Sequence, residues 1–146
     1  MSEQSQRIYI TKRLEARMKA FDPTLKIAIP NLPFDAPENE VYGRMHIMGG
    51  RSLNAGKSGE DILIRRTGIL QVTFLSPAEK GTKRALDAVD EIARIFENHR
   101  GTDATGVQYN FKVAEIRNAD LMGGWYPSII RVPYFRDEYR EMPVLS

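Results

Sequence analysis

The sequence contains no cysteine and only two histidines, His46 and His99. The missing cysteines exclude a disulfide scaffold, Cys-ligated zinc, iron–sulfur clusters and a thiol nucleophile. So few histidines nearly empty the class of His-rich metal centres, and neither an H-x-x-x-H pair nor a G-x-S-x-G elbow occurs. Charge of one sign is also scarce. A net charge of +2 and a pI near 8.9 demand neither nucleic acid nor an anionic lipid surface as partner. No run approaches the ~20 apolar residues of a membrane helix. The opening MSEQSQRIYITKRLEARMKAF has no apolar h-region and no small-residue cleavage site. The expectation is a protein assembled in the cytoplasm, with no membrane partner.

What is present is a chain of 146 residues, 42% hydrophobic and 27% charged. That size fits one domain, residues 1–146, with enough apolar surface for a core. Ile10, Leu14, Met18 and Phe21 recur at helical spacing, so Ser5 to Phe21 reads as a helix, stopped at Asp22-Pro23. Its five positive side chains face only Glu3 and Glu15, the pattern of a solvated face. Leu25–Ile29 and Val41–Met48 alternate as strands. Between them, three prolines stiffen the connection Pro30–Pro37.

Gly49 to Glu60 is rich in glycine and serine and reads as the longest polar loop. Asp61–Arg66 and Ile69–Leu75 are strands, with Thr67-Gly68 between them marking a bulge. Leu70, Val72 and Phe74 share one face, which makes this the central strand. From Lys80 or Gly81 to Asn98 a helix carries Ala85, Val89, Ile92 and Phe96 on one stripe, with Leu86 and Ala93 widening it. Asp90 and Arg94 form an i,i+4 pair on it, and Gly101 stands where a left-handed cap belongs. Two more strands follow, Gly106 to Ile116 and Trp125 to Phe135, joined by a hairpin; Pro127 and Pro133 give the last an exposed edge. The reading is an α+β fold, order α-β-β-β-α-β-β. About five strands form a mostly antiparallel or mixed sheet with two helices on one face.

The residues offer little chemistry. Gly56-Lys57-Ser58 matches the end of a phosphate-binding loop G-x-x-x-x-G-K-[ST], but Arg51 stands where its first glycine belongs, and an extended segment follows instead of a helix. His46 on a strand is an ordinary structural or solvent-facing histidine, while His99 beside Arg100 suits a helix C-terminus. Asp87 and Glu91 share a helix face that reads as solvated surface. Trp125, Tyr126, Tyr134, Phe135 and Tyr139, interleaved with Arg131, Arg136 and Arg140, have the form of a stacking platform for single-stranded nucleic acid. Asp137, Glu138 and Glu141 among them weaken that platform and favour docking on a partner subunit. No nucleophile, base and orienter belong together, so no catalytic, cofactor or metal residue is assigned.

Several segments in order resemble the phage tail terminator family, the small tail-completion proteins of long-tailed phages. They are Leu14–Met18, Ile29–Phe34, Thr67–Val72 followed by Ser76–Gly81, and Gly124-Trp125-Tyr126 leading into Ile130–Tyr134. The resemblance implies a non-enzymatic virion protein without cofactors. It would form a hexameric ring of its own copies on the tail tube, stop polymerisation and provide the head-joining surface. Implied partners are the major tail tube protein and a head-completion or connector protein, with DNA passing through unbound. The alternatives are a head–tail joining protein or tube subunit and, from another class, a small nucleic-acid-binding or regulatory domain. Candidate contacts with a neighbouring subunit or the tube are Arg51, Lys57, Trp125, Tyr126, Arg131, Tyr134 and Tyr139. Residues 137–146 read as an extended C-terminal tail; with Tyr139, Met142, Val144 and Leu145 it would dock on a neighbour.

Overall fold

The computed structural model describes residues 2–30, 32–58, 61–121 and 123–141. In chain order the elements are α1 (Ser2–Phe21), β1 (Lys26–Ala28), β2 (Tyr42–Ser58), β3 (Asp61–Pro77) and α2 (Lys83–Phe96). β4 (Arg100–Thr102), β5 (Gln108–Phe111), β6 (Glu115–Asn118) and β7 (Trp125–Glu141) follow. The strands form one sheet in the order β1-β2-β3-β7-β5-β4, with β6 also pairing β7. The β1–β2 pair is parallel and all the others are antiparallel. The expected α+β architecture is present, with seven strands where five were expected.

The core follows from alternation. Leu70, Val72 and Phe74 of β3 and Ile130, Val132 and Tyr134 of β7 lie in buried rows on one face. Ala85, Val89, Ile92 and Phe96 of α2 and Ile10, Leu14 and Met18 of α1 pack into the same cluster. Each large side chain so buried contributes about 1.5–3 kcal/mol. Phe21, the last member of the expected α1 stripe, is partly exposed, as is Leu86.

The largest departure is Gly49 to Glu60. Most of this expected loop is the second half of β2, paired with β3 as far as Ser58↔Asp61. Its composition misleads because both faces of this stretch lie outside the core, so no apolar alternation marks it. The backbone ladder holds it instead. The bulge expected at Thr67-Gly68 lies in the opposite strand: Gly50 and Arg51 together face Thr67, and Ala55 makes a second irregularity.

Other boundaries shift for local reasons. Asn98, with φ of 56°, takes the left-handed position after α2, and Gly101 sits inside β4. Arg94 pairs with Glu91 at 3.0 Å instead of Asp90. The expected strand Gly106–Ile116 divides into β5 and β6. Pro127 and Pro133 do not mark an edge, since β7 is central. The Pro133 carbonyl accepts from Lys112 N between β5 and β6, and that of Pro127 accepts from Ala119 N just past β6. N–H and C=O of one residue share a side of an antiparallel strand. Each proline therefore turns its missing donor towards a break in the ladder.

Long-range polar ties hold α1. The Arg13 guanidinium donates from Nε and Nη2 to the Ile95 carbonyl at 2.9 and 2.7 Å, satisfying one of the last carbonyls of α2. The Tyr9 ring stacks on Tyr109 at 4.4 Å, and its hydroxyl meets His99 Nε2 at 2.8 Å. Gly101 leaves room for that hydroxyl, because a Cβ there would collide with it. Tyr109 in turn donates to Asp103 Oδ2 at 3.0 Å, while Asp103 Oδ1 accepts from Thr105 and Val107. Burial raises the Asp103 pKa, but these hydrogen bonds outweigh it and hold the carboxyl below its usual value. Burial, with Arg13 and Arg17 nearby, lowers the pKa of His99.

Replacing Arg13 with alanine leaves the Ile95 carbonyl without its donors. It is expected to cost about 1–3 kcal/mol in urea unfolding, while Lys12→Ala on the exposed side is neutral. His99 binds its proton less readily folded than unfolded. Its contribution to stability is therefore complete above about pH 6.5 and declines as pH falls through the lowered folded value. His99→Gln should flatten that part of the stability–pH curve, and an unchanged slope would refute this assignment.

Candidate interaction surface

An antiparallel sheet with helices on one face leaves its other face uncovered. Here that face is built in rows across the ladder. Arg44, Thr73, Ile129 and Arg117 form one row; His46, Gln71, Arg131 and Glu115 the next; Met48, Ile69 and Pro133 a third. Arg131 Nε donates to Gln71 Oε1 at 2.8 Å. The His46 row is polar throughout and the Met48 row apolar throughout, while the Arg44 row mixes the two. His46 is exposed on this face, in keeping with a solvent-facing histidine.

Beyond the Leu53–Arg65–Asp137 row, where β5 ends its pairing with β7 at Gln108, β2, β3 and β7 continue as a three-stranded arm. The buried positions of β3 begin only at Gly68. Without a hydrophobic layer, the arm is held by backbone pairing and by cross-strand charge. Arg65 forms a two-pronged bridge to Asp137 at 2.8 and 2.9 Å and lies over the Phe135 ring at 4.0 Å. The Asp137 hydrogen bond raises the pKa of Arg65, keeping it charged. Arg66 reaches Glu138 at 3.2 Å and Ser52 at 3.0 Å. Leu53 and Tyr139 stand out from the arm, 44% and 64% exposed.

The sheet also ends in unsatisfied edges. β1 pairs β2 only from Tyr42 to Arg44, so the side of β2 away from β3 has no strand from Met45 onward among the described residues. The outer sides of β1 and β4 are likewise open. Exposed backbone edges accept another strand.

The expected contact residues scatter over these features. Arg51 is exposed in the β2 bulge, its carbonyl accepting from Thr67 Oγ1 at 2.9 Å. Lys57 pairs with Ile62 through its backbone, while its side chain lies outside the described residues. Trp125 is half-buried, edge-on to Tyr42 at 5.3 Å. Tyr126 is half-buried on the helix side of β7, and Arg131 lies on the open face. Tyr134 is only 2% exposed and donates its hydroxyl to Gln6, so its ring belongs to the core. Tyr139 is on the arm. The C-terminal aromatics alternate between the two faces of β7 and form no single stacking platform. Of the expected tail, residues 137–141 complete β7 against β3 and 142–146 lie outside the described residues. Leu53, the arm's second exposed apolar residue, was not foreseen; a lone apolar residue between Ser52 and Asn54 was its only signal.

Gly56-Lys57-Ser58 lies in the arm, paired with Leu63, Ile62 and Asp61, and leads into no helix. Asp87 and Glu91 are engaged by Lys83 and Arg94. Among the described residues no three His, Cys, Asp or Glu side chains converge as metal ligands, and no helix is long and apolar enough to cross a membrane.

A family described as phage tail terminator protein matches residues 9–134. A solved structure bearing no functional name is similar at 25% identity with a TM-score of 0.73, over 97% of this chain and 99% of its own. No curated protein matches.

The arm has little besides cross-strand pairs to keep it closed, so Arg65→Ala should loosen it locally. A loss of about 1 kcal/mol there predicts roughly fivefold faster hydrogen exchange in Ser52–Ser58 of β2, with Leu70–Phe74 unchanged. Uniform acceleration through the core would contradict an independently opening arm.

Proposed function

From the premise that this chain belongs to the phage tail terminator family, and so is a structural protein of the virion tail, we propose that it caps the distal growing end of the tail tube. Its copies close into a hexameric ring that halts tube polymerisation and presents the head-joining surface. Its partners are the major tail tube protein and a head-completion or connector protein. Assembly takes place in the host cytoplasm, and the work is docking, without catalysis or a cofactor.

The observation that carries the reading is the family match over residues 9–134 on a sheet open at both ends. A heterologous contact between different surfaces of successive copies forms a ring when its rotation closes. The open edges at β1–β2 and β4 are different surfaces of this kind. The projecting arm adds exposed Leu53 and Tyr139 as anchors. A net charge of +2, with Arg65 and Arg66 engaged by carboxylates, suits a ring that lets DNA pass without holding it.

Electron microscopy of the purified protein, alone and with tube ends, is expected to show six-fold rings. Phage lacking the gene should carry tails of uncontrolled length. Normal tail length in that knockout would overturn the capping role. Unaided growth into tubes would make the protein a tube subunit, and capture by the portal side alone would make it a joining protein.

A further inference from the structure

β1 is the outermost strand at its end of the sheet, and its free edge adjoins an apolar groove. Leu14 and Met18 of α1 and Leu25 and Ile27 on the helix side of β1 line the groove, with Lys19 and Asp22 at its rim. Its volume is about 250 Å³. An unpaired strand edge beside a groove is the geometry that an added strand fills, its backbone extending the ladder and alternate side chains entering the groove.

The chain offers a sequence for such a strand beyond the arm's tip, at the far end of the long strands. β7 runs to Glu141 at the arm's tip and leads into Met142-Pro143-Val144-Leu145. In a continued strand Met142 and Val144 would share a face. Pro143 between them would be tolerated at an edge with its missing N–H turned away from the pairing side.

This segment is out of reach of its own groove. Ile27 lies in the row Gly43–Phe74–Ser128, thirteen residues along β7 from Glu141. At about 3.3 Å per residue that is about 43 Å. Val144 lies three residues past Glu141, a reach of about 11 Å. We propose that residues 142–145 of one copy add to the β1 edge of a second copy, placing Met142 and Val144 in the Leu14–Met18–Leu25–Ile27 groove. The arm then spans the junction between successive copies, and the contact is head-to-tail. The inference rests on the proposed ring only in that its occupant is another copy of this chain.

The absence of native cysteine makes the test clean. Val144→Cys protein mixed with Lys19→Cys protein is expected to form a disulfide-linked heterodimer under mild oxidation. The double variant should give a ladder of linked chains, and closure within one chain would overturn the proposal. Met142→Asp/Val144→Asp is expected to keep the thermal melt of the dissociated chain while weakening self-association at least tenfold. Intact rings in that variant, together with no heterodimer, would remove this contact and leave the ring standing. A wild-type chain that stays monomeric both alone and with tube ends would overturn both.

Discussion

Three strands of seventeen residues, paired side by side from end to end, impose the order on which the rest of this molecule depends. β3 sits between β2 and β7, and its register sets the face to which every neighbouring side chain turns. A slip of one residue would move Leu70, Val72 and Phe74 from the helix side to the open side. Burial of that row locks the register over the inner half of the strands. The outer half inherits it through backbone pairing and the Arg65–Asp137 bridge. The arm is therefore well defined in direction although it has no core of its own.

The helices are attached to this ladder by unequal means. α2 carries a clean apolar stripe and lies directly on β3 and β7. α1 relies more on specific polar ties, with Arg13 on the Ile95 carbonyl and Tyr9 between His99 and Tyr109. Arg84 adds another, reaching Asp22 at 2.9 Å and Thr24 at 2.8 Å across the end of α1. These contacts join segments about 60 to 100 residues apart in sequence. Nothing in a local window announces them.

The scarcity of reactive side chains and the richness of edges belong together. The proposed docking on a tube and on further copies of the chain needs backbone ladders left open at defined places and apolar residues held outside the core. Leu53 and Tyr139 on the arm, the unpaired side of β2 and the groove beside β1 are such features. Each is costly for an isolated chain, because open edges and exposed apolar groups invite association. Under the proposed capping role, association is the function.

By itself the sequence determined the α+β class, both helices, the central strand and its buried row, because apolar periodicity records which face is hidden. It also carried the ordered segments whose resemblance led to the tail terminator family, which the family match over residues 9–134 establishes. Only the tertiary structure decided that Gly49 to Ser58 is a strand, that Tyr134 is core, and that the prolines of β7 face gaps in a central strand. The physical reason is the same in each case. A strand exposed on both faces, a tyrosine whose hydroxyl finds Gln6 far away in sequence, and a proline beside a break in the ladder all depend on what lies across the sheet. Local composition has no record of that neighbour.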